Sequence, residues 1–171
     1  MGRLRLLAVA AVLLLVMVTT GTTLAQDAVA QTDSGLVVAL RHTHSLVRWL
    51  VVIAAVAAIV KLALGLVQKS SFDNLTRRIM LAFSGLITLQ WLIGLVFLVV
   101  YGSVVGFGLR HFWEHLVVMT IAVGLSHMHN RFKNADAPMR YRNTLLLVIG
   151  VLVLVFVGVA LLPQGWRVFP A

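Results

Sequence analysis

Hydrophobic residues along this chain fall into long unbroken runs separated by short polar stretches, without the two-residue alternation of membrane barrel strands. Four of these runs cover about residues 45–67, 79–101, 112–129 and 144–162. Each is near the roughly 20 residues that carry a helix across the hydrocarbon core of a bilayer. Helix is the expected conformation, because backbone N–H and C=O groups in lipid must be satisfied within their own segment. With polar ends included, the pattern predicts helices over about residues 38–68, 75–101, 109–131 and 142–162. The expected fold class is therefore all-α, an integral membrane four-helix bundle.

A shorter apolar run precedes these four. Arg3 and Arg5 are followed by apolar residues 6–18, and Ala28-Val29-Ala30 offers a small-x-small cleavage site, with Thr23-Leu24-Ala25 as an earlier one. That is the layout of a secretory signal peptide, and the run is short for a span. The expected organisation is a cleavable signal over residues 1–30 and a four-helix transmembrane domain over residues 31–171. An uncleaved first helix is the alternative.

Composition agrees with a lipid solvent. Of the 171 residues, 61% are hydrophobic and 11% charged, against about a quarter charged in soluble domains. The net charge of +9 resides mostly in short loops, which is a topology pattern; no nucleic-acid partner is expected. The absence of cysteine rules out disulfides, thiolate metal sites and c-type haem attachment. Lys69, Arg77 and Arg78 fall between the first two helices, and Arg131, Lys133, Arg140 and Arg142 between the last two. The positive-inside bias puts both loops in the cytoplasm and both mature termini on the outer side of the cell inner (plasma) membrane. Trp49, Trp113 and Trp166 then fall near the outer boundary.

Polar side chains inside lipid are costly, so each marks a candidate function. His44, Arg48 and Lys61 lie in the first helix, Gln90 in the second, and His111, Glu114, His115, His127 and His129 in the third. The fourth is nearly plain, with Gly150 and Gly158 available for close packing. His44 and His115 come from different helices at similar outer depth, which is what bis-histidine ligation of one haem requires; His111 is a second choice for His115. Arg41, Arg48 and Arg110 could pair with haem propionates. Gln90 is expected below the histidine level. A second reading is a structural polar network of His44, Arg48, Glu114 and Gln90, with an Arg48–Glu114 ion pair. A third is a copper or zinc site at the outer face, drawn from His42, His44, His111, His115 and Glu114. His127 and His129 read as interfacial residues near a helix C-terminus, and Lys61 as a side chain reaching back to the cytoplasmic boundary.

The strings His42-Thr43-His44-Ser45-Leu46-Val47-Arg48-Trp49, Leu89-Gln90-Trp91-Leu92-Ile93-Gly94-Leu95 and Phe112-Trp113-Glu114-His115 together resemble a family of small four-helix bacterial membrane proteins labelled cytochrome B or cytochrome b561-like. The resemblance spans roughly residues 38–162. It implies a b-type haem, one per chain, with His44 and His115 as axial ligands of the iron. Arg48, Gln90 and Glu114 would stand beside the cofactor, and electrons would pass to or from quinol or a larger respiratory-type complex. Typical b561 proteins carry two histidine pairs at opposite faces, and this chain lacks the inner pair. A homodimer is a further option. A hydrolase is disfavoured, since no serine–histidine–acid set falls in register; any activity is expected to be electron transfer. The alternative to a cytochrome is a non-catalytic membrane subunit or scaffold.

Overall fold

The computed structural model describes residues 34–163 together with Gly165 and Trp166, so the segment read as a signal peptide lies outside the described residues. Within them the chain is all-helical: α1 (Gly35–Val67), α2 (Asn74–Val105), α3 (Arg110–His127) with a 3₁₀ turn at Met128–Phe132, and α4 (Ala137–Ala160). Short loops join the helices, so consecutive helices run antiparallel.

Local chemistry sets the helix starts. The Ser34 hydroxyl accepts from the Val37 amide at 3.4 Å and begins α1. Asp73 accepts from both the amide (2.8 Å) and the hydroxyl (2.5 Å) of Thr76 and begins α2. α4 opens with Pro138, whose missing N–H costs nothing in a first turn. α2 stops at Gly106, which takes φ 90°, a conformation that a side chain would strain.

Helices α1, α2 and α4 are each long and apolar enough to cross a membrane. At 33 residues, α1 runs for about 50 Å, well beyond the roughly 30 Å hydrocarbon core. Its inward stripe is Val47, Val51, Ala55, Ala58 and Leu62, at helical spacing. On its other faces Leu46, Leu50, Ile53, Val56, Val60, Leu64 and Val67 are 44–79% exposed. Such a surface would drive association in water and is ordinary against lipid. Helix α3 has only 18 residues and is punctuated by His111, Glu114, His115, Ser126 and His127. It is shorter than the helix expected over residues 109–131, which continues here as the 3₁₀ turn at Met128–Phe132.

Helix α1 packs on α2 and α4, and α3 packs on α4 and more lightly on α2. The four thus form a square in which α1 and α3 stand diagonally opposite. One half of the bundle is solid, with Ala55, Ala58, Leu62, Met80, Phe83, Tyr141, Val148 and Val151 in continuous contact. Tyr141 anchors that end: its hydroxyl donates to the Ser71 carbonyl at 3.0 Å and its ring lies 4.9 Å from that of Phe72. The ring occupies the space that a side chain at Gly65 would need. Gly65→Ala should consequently destabilise the bundle by about 1–3 kcal/mol through overpacking, read as an earlier unfolding midpoint in a detergent denaturation titration.

Lys61 pairs with Asp73 at 3.0 Å, bridging the end of α1 and the start of α2. The Thr76 hydroxyl and amide, and then Lys61, hold the Asp73 carboxyl below its ordinary value, at about 2. Its contribution is therefore complete above the usual aspartate value of about 3.9 and is lost as pH falls through about 2. The thermal midpoint should drop over that window, and Asp73→Asn, which keeps an oxygen to cap α2, should reduce the drop.

Candidate functional site

The other half of the bundle is hollow. A cavity of about 370 Å³ opens between the helices, with His44 and Arg48 on one wall and His111 and His115 on the opposite one. The remaining lining is largely apolar and aromatic. On α2 the lining residues Gln90, Gly94, Phe97 and Tyr101 recur at intervals of four, three and four, which places them on one helix face.

His44 is fixed from α2. The Gln90 side-chain amide donates to the His44 backbone carbonyl at 2.9 Å and lies 3.1 Å from His44 Nε2. An NH₂ group has two hydrogens, so the second goes to Nε2 and the ring proton stands on Nδ1. That Nδ1 and Gln90 Oε1 are both buried, with no hydrogen-bond partner among the described residues. Gly94 makes room for the ring, since a Cβ there would stand 2.8 Å from His44 Cε1.

His115 is fixed from α4. Its Nδ1 donates to the Gly158 carbonyl at 2.7 Å. That carbonyl belongs to the last turn of α4, where helix carbonyls lack intrahelical partners. The bond leaves Nε2 with its lone pair. Gly158 is needed here too, because a Cβ would run into the Met119 methyl and lie 3.6 Å from His115 Nδ1. Gly150, the other glycine of α4, meets nothing that a Cβ would touch. Across the diagonal of the bundle the two imidazoles stand 6.5 Å apart between centroids, with ring planes 72° apart in an edge arrangement.

Several sequence expectations are corrected. Gln90 stands level with His44, not below it, because α1 begins at Gly35 and carries His44 well inside the bundle. Glu114 pairs with Arg110, one turn earlier on α3, at 2.5 Å, so no Arg48–Glu114 bridge forms. The Arg110 side chain is 90% exposed and does not line the cavity, which removes it from the candidate cofactor contacts; Arg41 and Arg48 do line it. Among the described residues no three of His, Cys, Asp or Glu gather to hold a metal ion, so His42, His44, His111, His115 and Glu114 are not one site. His111 lines the cavity, with its ring edge-on to Phe112 at 4.4 Å. At the far end of α3, His127 shares a hydrogen bond with Thr88 at 3.0 Å, and the buried His129 donates to the Ser126 carbonyl at 2.8 Å.

Arg48 has surroundings that sequence reasoning missed. Its guanidinium reaches Ser45 Oγ at 3.2 Å and lies against the adjacent indoles of Trp49 and Trp166, at 5.6 and 5.5 Å from their centroids. Trp166 follows the end of α4 and is held by Phe156, through ring stacking at 5.5 Å and a 3.3 Å bond to its carbonyl.

The fold and site define an all-helical protein with membrane-competent helices and an off-centre, histidine-flanked cavity. Beyond that, comparison adds no kinship: no protein-family model, curated protein or solved structure matches the chain.

Proposed function

We propose that this chain is a membrane-bound b-type cytochrome that holds one haem between His44 and His115. The observation that carries the reading is the close approach of two imidazoles from diagonally opposite helices. Two imidazoles on opposite sides of one metal ion, each bonded at about 2 Å, place their ring centres roughly 6 Å apart. The pair here stands at 6.5 Å. Each ring is backed by a glycine, and His115 has the second hydrogen bond that orients a ligating histidine and raises its basicity. Haem, when bound, supplies one-electron chemistry at a potential tuned by its ligands and burial.

The side chains divide the remaining work. His115 presents Nε2 in a fixed tautomer. His44 presents a lone pair on Nε2 that the Gln90 amide covers, so ligation by that atom exchanges one hydrogen bond for a metal bond. Arg41 and Arg48 give the cavity guanidiniums suited to propionate carboxylates. The apolar wall from α2 and α4 keeps water away from the centre. In this reading α3 crosses the bilayer beside the other three helices, with the basic loops inside and both mature termini outside. Quinol or a larger complex is the electron partner, as the b561-like resemblance implies.

A second reading is favoured by the Gln90–His44 bond itself. An amide that already occupies the imidazole lone pair is what a structural link between α1 and α2 would use, in a non-catalytic membrane subunit. The two readings separate on one spectrum. The cytochrome reading predicts that protein purified in mild detergent shows a Soret band and a sharp reduced α band. Carbon monoxide should not shift them if His44 and His115 both hold the iron. Colourless protein after growth with ample haem would reject this reading in favour of the structural one.

A further inference from the structure

We propose that Gln90 is a displaceable cap on His44. Its side-chain amide holds the Nε2 lone pair while the cavity is empty and must release it for ligation, so the two histidines are occupied in a fixed order, His115 first. The inference rests on the cytochrome reading and adds to it how the site is filled.

The two imidazoles are unequal. His115 donates from Nδ1 to the Gly158 carbonyl at 2.7 Å, and its Nε2 keeps its lone pair. His44 is held through the other nitrogen. The Gln90 amide lies 3.1 Å from His44 Nε2 and donates to the His44 backbone carbonyl at 2.9 Å. A lone pair that accepts an N–H cannot bond a metal at the same time. Ligation through His44 therefore breaks a hydrogen bond first, and ligation through His115 breaks none.

The capped arrangement is also poorly satisfied. Gln90 is 9% exposed, and its Oε1 has no hydrogen-bond partner among the described residues. His44 Nδ1 is buried without one as well. A glutamine that only joined α1 to α2 should use both ends of its amide, because buried polar groups are nearly always paired. Here the nitrogen makes two bonds to His44 and the oxygen makes none, which lowers the cost of moving the group. The bond to the His44 carbonyl does not involve the ring, so the amide can leave Nε2 and stay tethered to α1. No proton is transferred: the amide keeps its hydrogens, the ring keeps its proton on Nδ1, and the freed lone pair makes the metal bond.

The test follows haem uptake by the full chain in mild detergent, with Gln90→Leu removing the amide while keeping its bulk. In wild type the uptake rate should level off as haem concentration rises, because release of the cap is unimolecular. In Gln90→Leu the rate should keep rising over the same range, and the dissociation constant should fall about fivefold, the equivalent of one hydrogen bond. Thr88→Val cuts a different link from α2, the 3.0 Å bond to His127, and should change neither quantity. Weaker binding in Gln90→Leu, or an equal gain in Thr88→Val, overturns the cap and leaves the cytochrome reading standing. A second readout needs no haem. In the empty protein, the ¹⁵N spectrum of labelled histidine should show His44 protonated on Nδ1, with an Nε2 signal that moves in Gln90→Leu and not in Thr88→Val. A proton on Nε2 overturns the proposal. Absence of haem uptake by wild type and Gln90→Leu alike rejects the cytochrome reading, and the cap with it.

Discussion

His115→Ala is expected to abolish haem absorbance while leaving the bundle folded. The imidazole contributes one hydrogen bond to the fold, from Nδ1 to the Gly158 carbonyl. That carbonyl is in the last turn of α4, where such groups find other partners, so the structural cost should be about 1 kcal/mol. The cost to ligation is far larger, because no other side chain offers a lone pair at that place on α3. His111, four residues earlier, is packed against Phe112. Circular dichroism and gel filtration of the variant should match wild type while the Soret band is lost. His44→Ala should give the same spectrum. If His115→Ala instead unfolds the protein, and His115→Gln restores folding without colour, the residue serves packing alone.

Gly94→Ala is the second large effect. The added methyl would lie 2.8 Å from Cε1 of His44 and 3.3 Å from Nδ1, closer than packed carbon atoms come. The ring is tied to the Gln90 amide at 3.1 Å and borders the cavity, so it relieves the contact by moving from its hydrogen-bonded position. One methyl should therefore tilt the imidazole away from its partner across the cavity and lower haem affinity at least tenfold, equivalent to about 1.4 kcal/mol. Haem titration monitored by absorbance reads this directly. Gly85 and Gly124 provide the control, since a Cβ at either meets nothing within 4 Å.

The helices and the lopsided distribution of polar chemistry were legible because lipid makes both conspicuous. A run such as residues 45–67 has few foldings available in a bilayer, and a histidine within it stands out. His44 and His115 could be paired from helix direction and depth alone, and the structure does bring them together. Depth from sequence was only as good as the helix starts. Helix α1 begins at Gly35, three residues before the start expected at residue 38 and ten before the apolar run, so His44 lies inside the bundle at the level of Gln90.

Partners were the other gap. Glu114 has one arginine four residues back and another across the bundle, and only the fold decides that Arg110 is the nearer. Trp166 reaches Arg48 because the chain turns sharply after α4, at Gly165 with φ 55°. The Gln90–Gly94–Phe97–Tyr101 face was readable in principle, since its spacing is helical, but its glycine carried no polar signal.

The central claim is that one iron is held between His44 and His115. A titration of detergent-purified protein with haem b tests it most directly. The cytochrome reading predicts a six-coordinate spectrum that saturates at about one haem per chain in wild type, with neither His44→Ala nor His115→Ala reaching that spectrum. Wild-type protein that binds no haem, or binds it equally well without either histidine, would contradict it.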